Sequence, residues 1–277
     1  MEKKIGKFFR YPKKTKRFGE GGLRMKNINK HPKFTLITVV LNNKDLLEKT
    51  IKSVLRQNFK NFEYILIDGG SKDGTLAILK KYNAKLDYWL SEKDYGIYHA
   101  FNKGMELSRG EYIGIINSDD TYRPNALSII SKYIKKNRKI DFIFGSVQKR
   151  WGLLSGYKPW KIYFSWGFYS SHSTGFFIKN TAAEKVGYYN LKYKYHSDYD
   201  YFFRMIVKKK LKGIATKRDE ITGDFRSGGF SSRLKFKDSL MEDIRIRRDN
   251  GQNIFLLFAV ILYRFIRNFK KVINWKF

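Results

Sequence analysis

FTLITVVLNN, Phe34 to Asn43, decides the fold. The nearly unbroken apolar and β-branched run Phe34 to Leu41 is the pattern of a strand covered on both faces, as in a parallel sheet, and the two asparagines then take a turn. Leu46, Leu47, Ile51, Val54 and Leu55 recur at spacings of three and four, with Asp45 in the first turn. Lys44 to Gln57 is therefore expected as a helix that lays one apolar stripe on the sheet. Phe62 to Ile67 is a second apolar strand, and the glycine-rich turn Asp68-Gly69-Gly70-Ser71-Lys72-Asp73-Gly74-Thr75 feeds a helix from Thr75 to Tyr82. Two βα units in succession imply right-handed crossovers and a doubly wound α/β layer.

A third apolar strand ends in Ile115-Ile116-Asn117-Ser118-Asp119-Asp120. Adjacent carboxylates at the end of a strand repel each other unless a cation joins them, and this is where α/β enzymes hold divalent metals and phosphates. Asn-Ser-Asp-Asp is also good turn chemistry, so this stretch alone leaves a solvated turn open.

The upstream and downstream motifs narrow the choice. Val40-Leu41-Asn42-Asn43, Ile67 to Thr75, Ser91-Glu92-Lys93-Asp94-Tyr95-Gly96-Ile97-Tyr98, Asn102-Lys103-Gly104 and Asn117-Ser118-Asp119-Asp120 occur in that order. Together they resemble the nucleotide-sugar half of a glycosyltransferase family 2 enzyme with the GT-A fold, over roughly Phe34 to Ile206. The resemblance implies a Rossmann-like, mostly parallel, doubly wound sheet with a C-terminal acceptor-side subregion. It also implies site roles. Asp68 would hydrogen-bond the base edge, with Val40 and Asn42 lining the same pocket. Lys93 and Asp94 would line the sugar and diphosphate; Asn102, Asn117 and Ser118 belong to the same donor site, and Lys103 is expected on a solvated helix face. Asp119 would ligate Mn²⁺ or Mg²⁺. Asp198, opening an acid-rich helix from Ser197 to Ile206, would be the general base on the acceptor hydroxyl. His172, Asp200 and Arg226 fall on the acceptor side or on the loop that closes over the diphosphate.

Two positions depart from the family pattern. The usual Asp-Asp-Gly-Ser is Asp68-Gly69-Gly70-Ser71 here, and Asn117 stands for the first carboxylate of Asp-x-Asp. The Gln-x-x-Arg-Trp signature of processive members is absent, which implies addition of a single sugar. In the second half, Ser173 to Lys179 reads as a strand and Thr181 to Val186 as a short helix.

The chain has 277 residues, 42% of them apolar, enough for one large core with tails. It has no cysteine, and its four histidines, His31, His99, His172 and His196, lack zinc-ligand spacing. Residues 1–33, with Lys13-Lys14-Thr15-Lys16-Arg17, read as a basic, flexible arm. A GT-A domain follows over 34–230, divided into a nucleotide-sugar half, 34–122, and an acceptor half, 123–230.

Residues 231–277 are expected to be C-terminal helices. Ile254 to Ile266 is apolar all round for about ten residues, fewer than the roughly 20 a spanning helix needs, and Arg264, Arg267, Lys270 and Lys271 follow. This is the pattern of a basic amphipathic helix lying on an anionic membrane surface, with a helix docked on the domain as the alternative. The expected partners are a nucleotide-sugar donor, a saccharide or lipid-linked saccharide acceptor, and the inner, cytoplasmic face of a membrane, where the protein would be peripheral. A net charge of +32 also suits nucleic acid, but no nucleic-acid module is recognisable. A non-catalytic scaffold of the same fold remains the other alternative.

Overall fold

In the computed structural model, residues 16–26, 31–164, 173–226, 228 and 234–267 are described. The sheet is built as the apolar runs demand. β2 (Phe34–Val40) is buried along its whole length, and β3 (Phe62–Asp68), β4 (Tyr88–Glu92) and β5 (Tyr112–Asn117) are buried almost as completely. β2 pairs in parallel with β3 and with β5, and β3 in parallel with β4. Period-two alternation sends Phe34, Leu36 and Val40 to one face of the sheet and Ile37 and Val39 to the other. Each face has its own core.

α1 (Lys44–Leu55) and α4 (Ala126–Lys136) cover the first face, with α2 (Thr75–Lys81) beside α1. α1 turns Leu47, Ile51 and Val54 inward, as the three-and-four spacing predicts, and each such burial contributes about 1.5–3 kcal/mol. α3 (Ile97–Glu106), α5 (Asn180–Val186) and α6 (Ser197–Phe203) cover the other face. The connection into α3 needs Gly96, whose φ of 113° lies in the region that favours glycine.

The strand order sets the position of the site. β1 (Arg17–Gly21), β4, β3, β2, β5, β10 (Phe176–Lys179), β7 (Phe142–Phe144) and β11 (Gly213–Ala215) lie side by side in that order. From β2 the chain steps outward through β3 and β4, then returns to place β5 on the opposite flank of β2. The direction of winding thus reverses between β2 and β5, and the crevice beyond their carboxyl ends is where open α/β sheets bind ligands. A second sheet, β6 (Thr121–Tyr122), β12 (Ile221–Phe225), β8 (Ser146–Lys149) and β9 (Gly152–Leu154), stands beside that crevice. These short strands, two to five residues each, carry too little pattern to be read from sequence.

Four expectations are corrected. The arm over 1–33 is not wholly flexible: Arg17–Gly21 pairs antiparallel with β4 and covers what would be an open sheet edge, and Arg24 ion-pairs with buried Glu63 at 2.5 Å. Residues 1–15 and 27–30 lie outside the described residues. Ser173–Gly175 is a 3₁₀ turn, and the strand begins only at Phe176. The helix from Ser197 is α-helical to Phe203 and then widens to a π-turn, Arg204–Lys208, closed by Lys209 N–H donating to the Arg204 carbonyl.

The fourth concerns the C-terminus. α7 (Phe236–Asp249) and α8 (Ile254–Arg267) fold back on the domain. Arg264, expected among the cations facing lipid, is instead buried, with its Nη1 2.7 Å from Asp243 Oδ2 of α7. Arg247 shares the same carboxylate at 2.9 Å. A buried carboxylate is tolerated here because two guanidiniums compensate its charge.

Candidate active site

The carboxyl ends of β2, β3 and β5 bring three loops together. Asn42 takes φ 50° after β2, and its side-chain oxygen accepts from Lys72 N–H while its own N–H donates to Ser71 Oγ. Asn43 Nδ2 donates to Ser118 Oγ at 2.9 Å. Asn42 with Ser71 and Asn43 with Ser118 are thus two hydrogen-bonded pairs that tie the loop after β2 to the loops after β3 and β5. Val40 contributes only backbone: its side chain is in the core and its carbonyl accepts from Gly69 N–H.

Asp68 has a different position from the one its motif implies. Its carboxylate is fully buried and accepts from the N–H and hydroxyl of Ser71 and from Ser91 Oγ. Both oxygens are engaged inside the protein, so the residue holds the β3 loop against β4 and has no open edge for a base.

Directly above it the missing carboxylate is compensated. A Cβ at Gly69 would lie 2.4 Å from Asp94 Oδ2, so Asp94 occupies the volume that a side chain at 69 would fill. Burial raises the Asp94 pKa, the Lys103 ammonium opposes that rise, and the Asp68 charge reinforces it. The Asp94 loop is fixed in turn by Lys103. This lysine is buried, 2.6 Å from Glu92 Oε1, and donates to the Lys93 carbonyl at 3.1 Å. Lys103 is thus an internal strut and not a solvated face, while Lys93 is exposed at the crevice.

At the end of β5 two oxygens are left available. Asn117 Nδ2 donates to Ser173 Oγ, whereas its Oδ1 is buried with no hydrogen-bond partner among the described residues. Asp119, two residues on, is partly buried, and that burial raises its pKa against the attraction of Arg226. Asp120 is an internal anchor. Its carboxylate accepts from Thr174 Oγ1 at 2.6 Å and from Arg226 N–H at 2.9 Å, and burial pushes its pKa up to about 7.

The described residues contain no cluster of three or more His, Cys, Asp or Glu side chains able to hold a metal. One carboxylate and one unpartnered amide oxygen nevertheless suit Mg²⁺ or Mn²⁺, which commonly bind through one or two carboxylates with phosphate and water completing the shell. The residues present fit such an ion.

α6 carries the second candidate group. Asp198 is partly buried; its Oδ1 accepts from Tyr199 N–H at 2.9 Å and lies 3.2 Å from the Tyr98 hydroxyl, which donates to the Tyr195 carbonyl. Burial pushes its pKa up to about 6 against these hydrogen bonds. A carboxyl poised there can take a proton near neutral pH. Tyr98 sits at the start of α3, one turn beyond Asp94, so α3 connects the donor loop to this carboxylate.

Two other expected site residues are structural. Asn102 bonds through both ends of its amide to the backbone of Tyr189, at 2.9 Å each. Asp200 is buried, held by Arg204 Nε at 2.9 Å and Asn250 Nδ2 at 2.8 Å, and so does not face an acceptor. The Arg226 side chain is exposed beside Asp119, and His172 lies outside the described residues.

The contact of Tyr98 with Asp198, the seat of Asp94 above Gly69, and the role of Glu242 escape a reading by motif. Glu242 on α7 accepts from the N–H groups of Lys194, Tyr195 and His196, fixing the loop that delivers Asp198. No local sequence signal links Glu242 to that loop.

Comparison with known proteins agrees with this fold. The model of "Glycosyl transferase family 2" matches residues 35–218. A PGL/p-HBAD biosynthesis glycosyltransferase of Mycobacterium bovis is 28% identical over 187 residues, covering 62% of this chain and 69% of that protein. An uncharacterized glycosyltransferase of Methanocaldococcus jannaschii is 29% identical over 174 residues, 58% of this chain and 60% of the other. Among solved structures, S. aureus TarS 1-349 in complex with UDP-GlcNAc superposes with a TM-score of 0.64 at 17% identity, over 78% of this chain and 66% of that one. The mannosyltransferase PcManGT from Pyrobaculum calidifontis, in complex with GDP-Man and Mn²⁺, gives 0.61 at 14%, over 83% and 68%. These structures share its GT-A fold.

Proposed function

The chain belongs to glycosyl transferase family 2, and from that premise we propose that it transfers one sugar, with inversion, from a nucleotide-sugar donor to a saccharide or lipid-linked saccharide hydroxyl. The reading is carried by one observation: a carboxyl with its pKa raised to about 6 opens α6 and is tied through Tyr98 to the donor-side loop. Asp198 takes the proton of the acceptor hydroxyl as that oxygen bonds the anomeric carbon. The bond from that carbon to the diphosphate oxygen breaks at the same time, and the nucleoside diphosphate leaves.

Asp119 and Asn117 Oδ1 would hold Mn²⁺ or Mg²⁺, which when bound offsets the charge gathering on the departing diphosphate. Lys93 and Arg226 add mobile and planar cationic groups beside the same oxygens. Assembly of surface polysaccharide or glycolipid is the setting that suits the relatives, one named for PGL/p-HBAD biosynthesis.

Calorimetric titration of UDP and GDP in the presence and absence of Mn²⁺, followed by a panel of nucleotide sugars scored for release of the nucleoside diphosphate, tests the reading. Wild type should bind one nucleotide with Mn²⁺, and Asp119→Ala should lose the metal-dependent part. Metal-enhanced binding that survives in Asp119→Ala removes Asp119 from the metal site; no nucleotide bound by wild type returns the chain to a scaffold role.

A further inference from the structure

We propose that the outward face of α8, together with the aromatic turn carrying Trp160 and Phe164, is a docking surface for an anionic lipid bilayer. α8 has two apolar faces. Leu257, Val260 and Arg264 point into the domain, whereas Phe255, Phe258, Leu262 and Ile266 recur on the opposite side and are between 51% and 81% exposed. A helix that only packs on its own domain is polar on the outside. Single exposed apolar residues are ordinary, but four along one helix face are the mark of an interaction surface.

A second exposed apolar element is tied to the junction that precedes α8. Trp160 and Phe164, on and just after the 3₁₀ turn Pro159–Tyr163, are both exposed, with ring centroids 6.0 Å apart. The turn is joined to the α7–α8 junction at Tyr163, whose carbonyl accepts from Arg247 Nη1 at 2.6 Å and Gln252 Nε2 at 3.2 Å. Exposed indole and phenyl rings on one element and exposed apolar residues on the helix that follows the same junction are the composition of a membrane interface.

The charge around the surface selects the occupant. Lys158 and Lys161 flank Trp160, α7 turns Arg245 and Arg248 outward, and Arg267 closes α8, all exposed. Symmetric pairing of two copies through this face would bring like charges together, whereas an anionic headgroup layer neutralises them. α8 has 14 residues, roughly 21 Å of helix against a hydrocarbon core of about 30 Å, so it lies on the bilayer and does not cross it. No helix among the described residues is long and apolar enough to span. The Tyr199 hydroxyl donates to the Ile162 carbonyl at 2.7 Å, so the residue next to Asp198 is fastened to the aromatic turn. Docking by this face holds the proposed base beside a lipid-linked acceptor.

The test is flotation of the full chain with vesicles of phosphatidylcholine alone and of phosphatidylcholine mixed with phosphatidylglycerol. Wild type should float with the anionic vesicles, only partly released by salt, and hardly at all with neutral ones. Phe258→Glu/Leu262→Glu should lower the bound fraction about tenfold or more, with unchanged melting, because two outward apolar contacts are lost and two like charges are added. Phe258→Ser/Leu262→Ser, which adds no charge, should give a smaller loss in the same direction. Unchanged flotation of both variants overturns the proposal, as does equal flotation on neutral and anionic vesicles. Light scattering that shows a wild-type dimer split by either variant, without vesicle binding, assigns the face to a second copy instead.

Discussion

Asp198→Asn should make the protein more stable and far less active, and the two effects should have different pH dependences. Burial raises the Asp198 pKa from 3.8 to about 6. The folded state therefore holds a proton that the unfolded state has already released between those values. Wild-type stability falls as pH rises through this window, and the whole penalty is present above about 6. A shift of about two units corresponds to about 3 kcal/mol, an upper figure for a partly buried group; about 1–2 kcal/mol remains after solvent screening. Asparagine keeps the oxygen that accepts from Tyr199 N–H and lies beside the Tyr98 hydroxyl but cannot ionise. At pH 7.5 the variant should melt about 2–6 °C above wild type, and below pH 4 the two melting temperatures should converge. Turnover should fall about 10²-fold or more with donor binding unchanged, and the wild-type rate should climb with pH to a plateau above about 6. Scanning calorimetry at several pH values, with a transfer assay, reads both effects. A variant that melts below wild type at pH 7.5, or that turns over normally, refutes the assignment of Asp198 as a destabilised base.

Gly69→Asp should weaken nucleotide binding about tenfold or more, because its Cβ would fall 2.4 Å from Asp94 Oδ2, and the exchange Gly69→Asp/Asp94→Gly should recover much of the loss; calorimetric Kd values for the three variants form the cycle, and additive losses would sink the shared-volume account. Asp243→Ala leaves Arg247 and Arg264 buried without their common carboxylate and should cost about 3–5 kcal/mol in denaturant unfolding; a loss under about 1 kcal/mol would mean the cluster contributes no more than an exposed pair.

Local sequence was enough for the parallel half of the sheet. β2, β3 and their helices appear within one or two residues of where the apolar runs end, because a strand buried on both faces and a helix stripe each leave a short-range period. The ordered motifs were enough for the family, and they put Asn117 at the end of β5, Asp119 just beyond it and Asp198 in the first turn of α6. Only tertiary structure decided which polar residues have free oxygens there. Asp68, Asn102 and Asp200 are consumed by Ser71 and Ser91, by the Tyr189 backbone, and by Arg204 and Asn250, partners that are mostly distant in sequence. Lys103 and Arg264 look like surface cations until Glu92 and Asp243 meet them in the interior. The division has a physical cause: periodicity is a property of neighbours along the chain, whereas the satisfaction of a buried polar group depends on whichever element the fold packs against it.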